Sequence, residues 1–111
     1  MIKKFKKPYL IAEIGGNHEG NVKYAKKLID QAEKSGVDCI KLQIYSEKSL
    51  VNKYLDISRY NHFKKFSLKI EDYLSLAKYI NNKGLDFSAS IWDQNLIKTF
   101  KKSVKFYKVG S

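Results

Sequence analysis

The sequence predicts an α/β chain in which parallel strands alternate with outer helices, and three observations carry that expectation. Four short apolar runs, at 9–14, 39–45, 87–91 and 104–109, have the length and composition of strands. The stretches 22–32 and 70–80 place apolar residues three and four apart, each one stripe of an amphipathic helix. A helix stop, a short turn and a strand start also recur. Lys34-Ser35-Gly36-Val37-Asp38-Cys39 is echoed by Asn82-Lys83-Gly84-Leu85-Asp86-Phe87, and more loosely by Lys102-Ser103-Val104-Lys105-Phe106. Strands and helices in that alternation imply right-handed crossovers and one parallel sheet.

In chain order, the first strand runs into the glycine-rich loop Gly15-Gly16-Asn17-His18-Glu19-Gly20. The first helix carries Val22, Ala25, Leu28, Ile29 and Ala32 on one stripe, with Asn21 as N-cap and Gly36 as the stop. Lys34 falls in its last turn, where a cation suits the helix dipole. The stretch 46–69 after the second strand is less regular; Tyr54, Leu55, Tyr60, Phe63 and Phe66 predict that it packs on the fold. The second helix carries Ile70, Tyr73, Leu74, Ala77 and Ile80, closed by Lys83 and Gly84. A shorter third helix is expected after Asp93 as N-cap, with Leu96, Ile97 and Phe100.

Alternation along the strands selects the architecture. A doubly wound sheet buries both faces, so its strands read as continuous apolar runs. Here Ile40, Leu42 and Ile44 oppose Lys41 and Gln43, and Phe87, Ala89 and Ile91 oppose Ser88 and Ser90. Tyr107 and Val109 oppose Lys108 in the same way, and Ala12 and Ile14 oppose Glu13. One face meets helices, and the other is polar towards the C-terminal strand ends, as in the mouth of a barrel enzyme. Eight strands take about 250 residues, and this chain has 111. The expectation is therefore the N-terminal half, about four strands, of a (β/α)8 TIM barrel. It is read as one partial domain over residues 1–111, the N-terminal half of something larger, and is expected to be inactive alone. A half barrel leaves two open edges and a polar face with nothing opposite.

Composition narrows the function classes. Hydrophobic residues make up 43% of the chain, enough apolar surface to exclude a disordered one. No apolar run approaches the roughly 18 residues of a membrane span. The basic start (Lys3, Lys4, Lys6, Lys7) precedes only Tyr9 to Ala12 before Glu13, too short for a signal peptide. With Cys39 alone, no internal disulfide forms, and a cytoplasmic setting is expected. The net charge of +11 comes from 22 basic residues, of which only Arg59 is arginine. Nucleic-acid surfaces favour arginine's planar fork, and no recognition motif is present, so no nucleic-acid partner is expected.

Chemistry converges on the polar face: Glu13, Lys41, Gln43, Ser88, Ser90, Lys108 and Ser111, under the first loop. Lysines supply charge and serines directional donors, which suits a small, multiply charged anion. The residues equally allow Lys41 to pair with Glu13 as a structural ion pair. The loop matches neither a dinucleotide fingerprint nor a P-loop. His18 has no partner at metal-ligand spacing and reads as a structural hydrogen-bonder. Cys39 and Trp92 read as packing residues, although Trp92 follows a strand end and is also placed to wall a pocket.

The run Ile11-Ala12-Glu13-Ile14-Gly15-Gly16-Asn17-His18-Glu19-Gly20 resembles the first strand and loop of the sialic acid synthase family, which includes N-acetylneuraminate, legionaminate, pseudaminate and spore-coat relatives. The likeness continues collinearly through Lys41-Leu42-Gln43, Phe87-Ser88-Ala89-Ser90 and Tyr107-Lys108-Val109-Gly110-Ser111. The resemblance implies a transferase joining phosphoenolpyruvate to an N-acylated hexosamine such as N-acetylmannosamine, giving a nonulosonic acid and phosphate. It implies phosphoenolpyruvate contacts at Lys41, Ser90, Lys108 and Ser111, and a catalytic acid near the sugar at Glu19. Asn17, His18 and Gln43 would be neighbouring pocket groups. It further implies a divalent metal, Mn2+ or Mg2+, held by later histidines outside this sequence, a homodimer, and a C-terminal antifreeze-like domain beyond this stretch. Ile91-Trp92-Asp93 stands where many members carry Pro-Phe or Leu-Phe, and Ile44 where many carry Thr. The alternatives are another phosphate-substrate barrel enzyme and a non-catalytic half-barrel binding or assembly protein.

Overall fold

The computed structural model describes residues 7–110. The expected roles of Ser111 and of Lys3, Lys4 and Lys6 fall outside the described residues. One four-stranded sheet, ordered as in the sequence, is formed by β1 (Ile11–Gly15), β2 (Cys39–Ile44), β3 (Asp86–Ile91) and β4 (Phe106–Tyr107). All three pairings are parallel. The long helices α1 (Val22–Lys34) and α4 (Ile70–Asn82) cover one side of it.

Register explains the alternation. Glu13 pairs with Lys41 and Lys41 with Ser88, while Gln43 pairs with Ser90. Paired residues of parallel strands point to the same side, so these groups share one face. Ile40, Leu42, Ile44, Phe87 and Ala89 take the other side and are wholly buried with Ala25, Ile29, Leu76, Ala77 and Ile80. Strand and helix thus bury their apolar sides against each other, and the expected α/β half barrel is what forms.

Local chemistry sets the helix ends. Asn21 Oδ1 accepts the Tyr24 N–H at 3.0 Å, the predicted N-cap of α1. No side chain caps α4, but Glu71 and Asp72 in its first turn complement the dipole. The two helices are tied together at their ends. Tyr79 Oη donates to Asp30 Oδ1 at 2.6 Å, and Lys83 Nζ lies 3.0 Å from both Asp30 and Glu33.

Five expectations need correction. The stretch 46–69 is not irregular: it forms α2 (Glu47–Leu50) and α3 (Ile57–Phe66), capped by Ser46 and Asp56. Nor is all of it packed, since Tyr54 is 95% exposed on the turn between those helices and Leu55 is also exposed. Leu76, absent from the expected α4 stripe, is wholly buried, whereas Ile70 at the first turn is exposed. The third helix opens as a 3-10 turn, Gln94–Leu96, before one α-turn, α5 (Ile97–Phe100). Val109 is exposed rather than core-facing. The ladder ends as Lys108 N–H donates to Ala89, so pairing no longer dictates which side Val109 takes.

Candidate functional site

The polar face begins with a bulge. Register shifts between Glu13 and Gly15, and Gly15 takes a positive φ of 57°. A bulge re-aims the side chains beside it, and barrel rims use bulges for that purpose. A Cβ on Gly15 would stand 3.3 Å from Glu13 Oε1 and 3.8 Å from Gln43 Nε2, so the bare Cα leaves room for both. Glu13 is thereby turned along the sheet, and its Oε2 accepts from Lys41 Nζ at 2.6 Å.

Lys41 is only 9% exposed, while the Glu13 side chain is 45% exposed. The structural pairing allowed by the sequence is therefore present. An incoming anion would share Lys41 with Glu13 rather than meet a free ammonium. Ser88 is committed elsewhere: its hydroxyl donates to the Phe106 carbonyl at 2.8 Å. Ser90 is different, since it is nearly buried and its hydroxyl makes no hydrogen bond among the described residues. Lys108 is exposed, and its Nζ rests on the Val109 carbonyl at 3.0 Å.

Three clefts lie along the C-terminal strand ends. The first, about 470 Å³, brings Glu13, Asn17 and Glu19 together against Tyr24, Leu28 and Phe66. The second, about 390 Å³, joins Ser90 to Lys108 beside Trp92 and Tyr107. The third lies between Gln43, Arg59, Phe63 and Trp92. Lys41 and Ser90 thus share the sheet face, Ser90 and Lys108 share a cleft, and Glu19 and Asn17 share another. Gln43 stands between the first cleft and the third.

His18 does not join them. It is 1% exposed, its Nδ1 accepts the Gly20 N–H at 3.0 Å, and its ring meets Tyr73 edge-on. Burial pushes its pKa below the ordinary imidazole range. Its Nδ1 is thus used by its own loop, and His18 lines none of the three clefts. Trp92 departs from expectation the other way, being 44% exposed and walling two clefts instead of packing under the helices. Tyr24 and Phe66 were not expected as walls, because they belong to helices whose tilt over the loop no periodicity encodes. Arg59 carried one signal, as the single arginine of the chain.

Cys39 packs as expected, wholly buried, with burial raising its thiol pKa. No group of three or more His, Cys, Asp or Glu among the described residues could hold a metal ion. No helix among them is long and apolar enough to cross a membrane.

Four parallel strands, helices on one side and a polar face opposite define a class: an α/β chain built as half of a (β/α)8 barrel. The comparisons agree. The profile of the NeuB family matches residues 28–111, and the chain belongs to that family. It is 31% identical over 101 residues to the N,N'-diacetyllegionaminic acid synthase of Legionella pneumophila, covering 80% of this chain and 28% of that protein. It is 31% identical over 115 residues to the N-acetylneuraminate-9-phosphate synthase of Drosophila melanogaster, covering 93% of this chain and 31% of that protein. The fold superposes on the N-acetylneuraminic acid synthetase of Leptospira borgpetersenii, solved with citrate, with a TM-score of 0.81 at 25% identity over 91% of this chain and 35% of that one. The chain spans about a third of the length of the relatives it matches.

Proposed function

We propose that residues 1–111 are a partial barrel domain of a phosphoenolpyruvate-dependent nonulosonic acid synthase, holding part of the phosphoenolpyruvate site and one sugar-side acid. One observation carries this reading: Lys41 and Ser90 share the polar face of β2 and β3, and Ser90 shares a cleft with Lys108, which follows β4. Lysine charge and a serine hydroxyl with no partner among the described residues suit the phosphate and carboxylate of phosphoenolpyruvate. Membership of the NeuB family, and relatives named as sialic and legionaminic acid synthases, support the same reaction.

In that reaction C3 of the enolpyruvate attacks the aldehyde carbon of the open-chain N-acylhexosamine, forming the new C–C bond. Water adds at C2, and the C2–O bond to phosphate then breaks, leaving a 2-keto acid and inorganic phosphate. Lys41 and Lys108 hold the anion, Ser90 donates to it, and Glu19, in the cleft with Asn17, moves a proton at the sugar. The divalent cation that the resemblance implies would be held by later histidines outside this sequence, and no step here runs through it.

The test is kinetic, in a chimera completing this half barrel with the remaining strands of the Legionella relative. K41A and K108A should each raise the KM for phosphoenolpyruvate by about tenfold or more, the loss of one charge-assisted hydrogen bond. Glu19→Gln should lower kcat with little change in that KM. Unchanged phosphoenolpyruvate kinetics in both lysine variants would remove them from the site.

A further inference from the structure

Glu19 stands in a conformation that its side chain does not favour. Its φ is 54°, and among the described residues it alone, glycines apart, has a positive φ. Left-handed backbone crowds Cβ against the following carbonyl oxygen, so glycine, asparagine or aspartate is the usual occupant. Asparagine and aspartate offset the crowding with local hydrogen bonds. The Glu19 carboxylate makes no hydrogen bond or ion pair among the described residues. Such a conformation persists where the surrounding structure over-determines it, and it gathers at functional sites.

The surroundings do over-determine it. Two peptide planes meet at the Glu19 Cα, and each is fixed. The plane before it is held at both ends: the Glu19 N–H donates to the Gly16 carbonyl at 3.1 Å, and the His18 carbonyl accepts the Asn21 N–H at 2.9 Å. The plane after it is held by a side chain, since the Gly20 N–H donates to His18 Nδ1 at 3.0 Å. That ring is itself packed. It is buried and meets Tyr73 edge-on at 6.3 Å, and Tyr73 is wholly buried in α4. Gly20 in turn lies against the Lys65 carbonyl at the end of α3.

We infer that His18 is the positioning residue for Glu19: its imidazole acceptor holds the Glu19–Gly20 peptide, fixes the left-handed turn and so aims the carboxylate into the cleft shared with Asn17 and Glu13. The inference rests on the reading of Glu19 as the sugar-side acid. It supplies the reason for a glutamate in a conformation that suits glycine. A group that moves a proton is held near its productive geometry by neighbours that packing and hydrogen bonds lock in turn. Glu19 is exposed and long, and its constraint comes from the backbone. His18 lines none of the clefts and acts through the Gly20 N–H.

The test uses the 111-residue chain. His18→Phe keeps a ring against Tyr73 and removes the acceptor, whereas His18→Asn puts a carbonyl oxygen close to where Nδ1 stands. The readout is the strong intraresidue NOE between HN and Hα that a positive φ gives at residue 19. The unaltered chain and His18→Asn should show it, and His18→Phe should lose it at unchanged circular dichroism. A His18→Phe chain that keeps the NOE would overturn the inference. Strain gives a second measurement. Glu19→Gly should raise the folding constant about threefold over Glu19→Ala, because glycine carries no Cβ penalty there. In the His18→Phe background that advantage should vanish, since the turn is then free to relax. Its persistence there, or equal stability of the two variants with His18 intact, would also overturn the inference. The comparison with His18 intact stands even where His18→Phe does not fold. None of these readouts needs a sugar. Undiminished kcat for Glu19→Gln in the chimera would therefore remove the acid reading while His18 still holds the turn.

Discussion

Lys41 keeps its ammonium group at a nearly buried position because the Glu13 carboxylate faces it at 2.6 Å across the first two strands. Removing one partner of a fully buried pair costs about 3–5 kcal/mol, because the other charge is stranded. Glu13 is 45% exposed, so water reaches the pair. E13Q is therefore expected to lose about 1–2 kcal/mol in urea unfolding, discounted for that exposure. The double variant E13Q/K41M should recover much of this, since no charge is left unpaired. A double variant no more stable than E13Q would show that the loss is not electrostatic. His18 makes a second residue-level prediction. The unfolded imidazole titrates near about 6.5, and burial holds the folded one lower. As pH falls the unfolded state binds the proton first, so stability is full above that value and declines below it, down to the folded pKa. Urea midpoints taken between about pH 7.5 and about pH 5 should show this slope, and His18→Gln should flatten it.

At the scale of elements, the first loop is held by the end of α3. Gly20 has φ of 72°, and a Cβ there would run into the Lys65 carbonyl oxygen. Glycine is required twice over, for its backbone conformation and for the close approach. The neighbouring Asn21 is required only as a cap, and N21A is expected to cost about 1 kcal/mol. G20A should cost clearly more, and amide shifts should appear in α3 as well as in the loop. Shifts confined to the loop would show that α3 does not support it. The aromatic side chains of 46–69 announced packing there, yet the two helices were not legible, because their caps are ordinary Ser and Asp and their apolar pattern is mixed. Phe63 and Tyr60 found partners, while Tyr54 and Leu55 stand at the turn where no element covers them.

Across the whole molecule the net charge of +11 sets the response to salt. The described fold measures 50 × 32 × 21 Å. Screening acts over about 30 Å at 0.01 M salt and about 8 Å at 0.15 M, so at low salt lysines across the fold repel one another. The melting temperature should rise between those concentrations, because self-repulsion destabilises the compact state. A fall would mean that the pairs of Lys83 with Asp30 and Glu33, and of Lys41 with Glu13, outweigh the repulsion.

What the amino-acid order determined by itself is the periodic part of this protein. Alternation in β2 and β3 separated a helix-covered face from a polar one, and the stripes of α1 and α4 named most of the side chains that bury it. Those signals are legible because burial repeats with the period of the backbone, two in a strand and 3.6 in a helix. The collinear motifs at the strand ends identified the family by the same one-dimensional order. Only the tertiary structure decided what meets across that order. It turned Glu13 through a bulge onto Lys41, buried His18 beneath its own loop, spent Ser88 on a neighbouring carbonyl and left Ser90 without a partner among the described residues. It also brought Arg59 and Phe63 of α3 to Trp92 at the end of β3. Each of these depends on a distance between residues far apart in the chain, and a distance across the fold has no period to be read from the sequence.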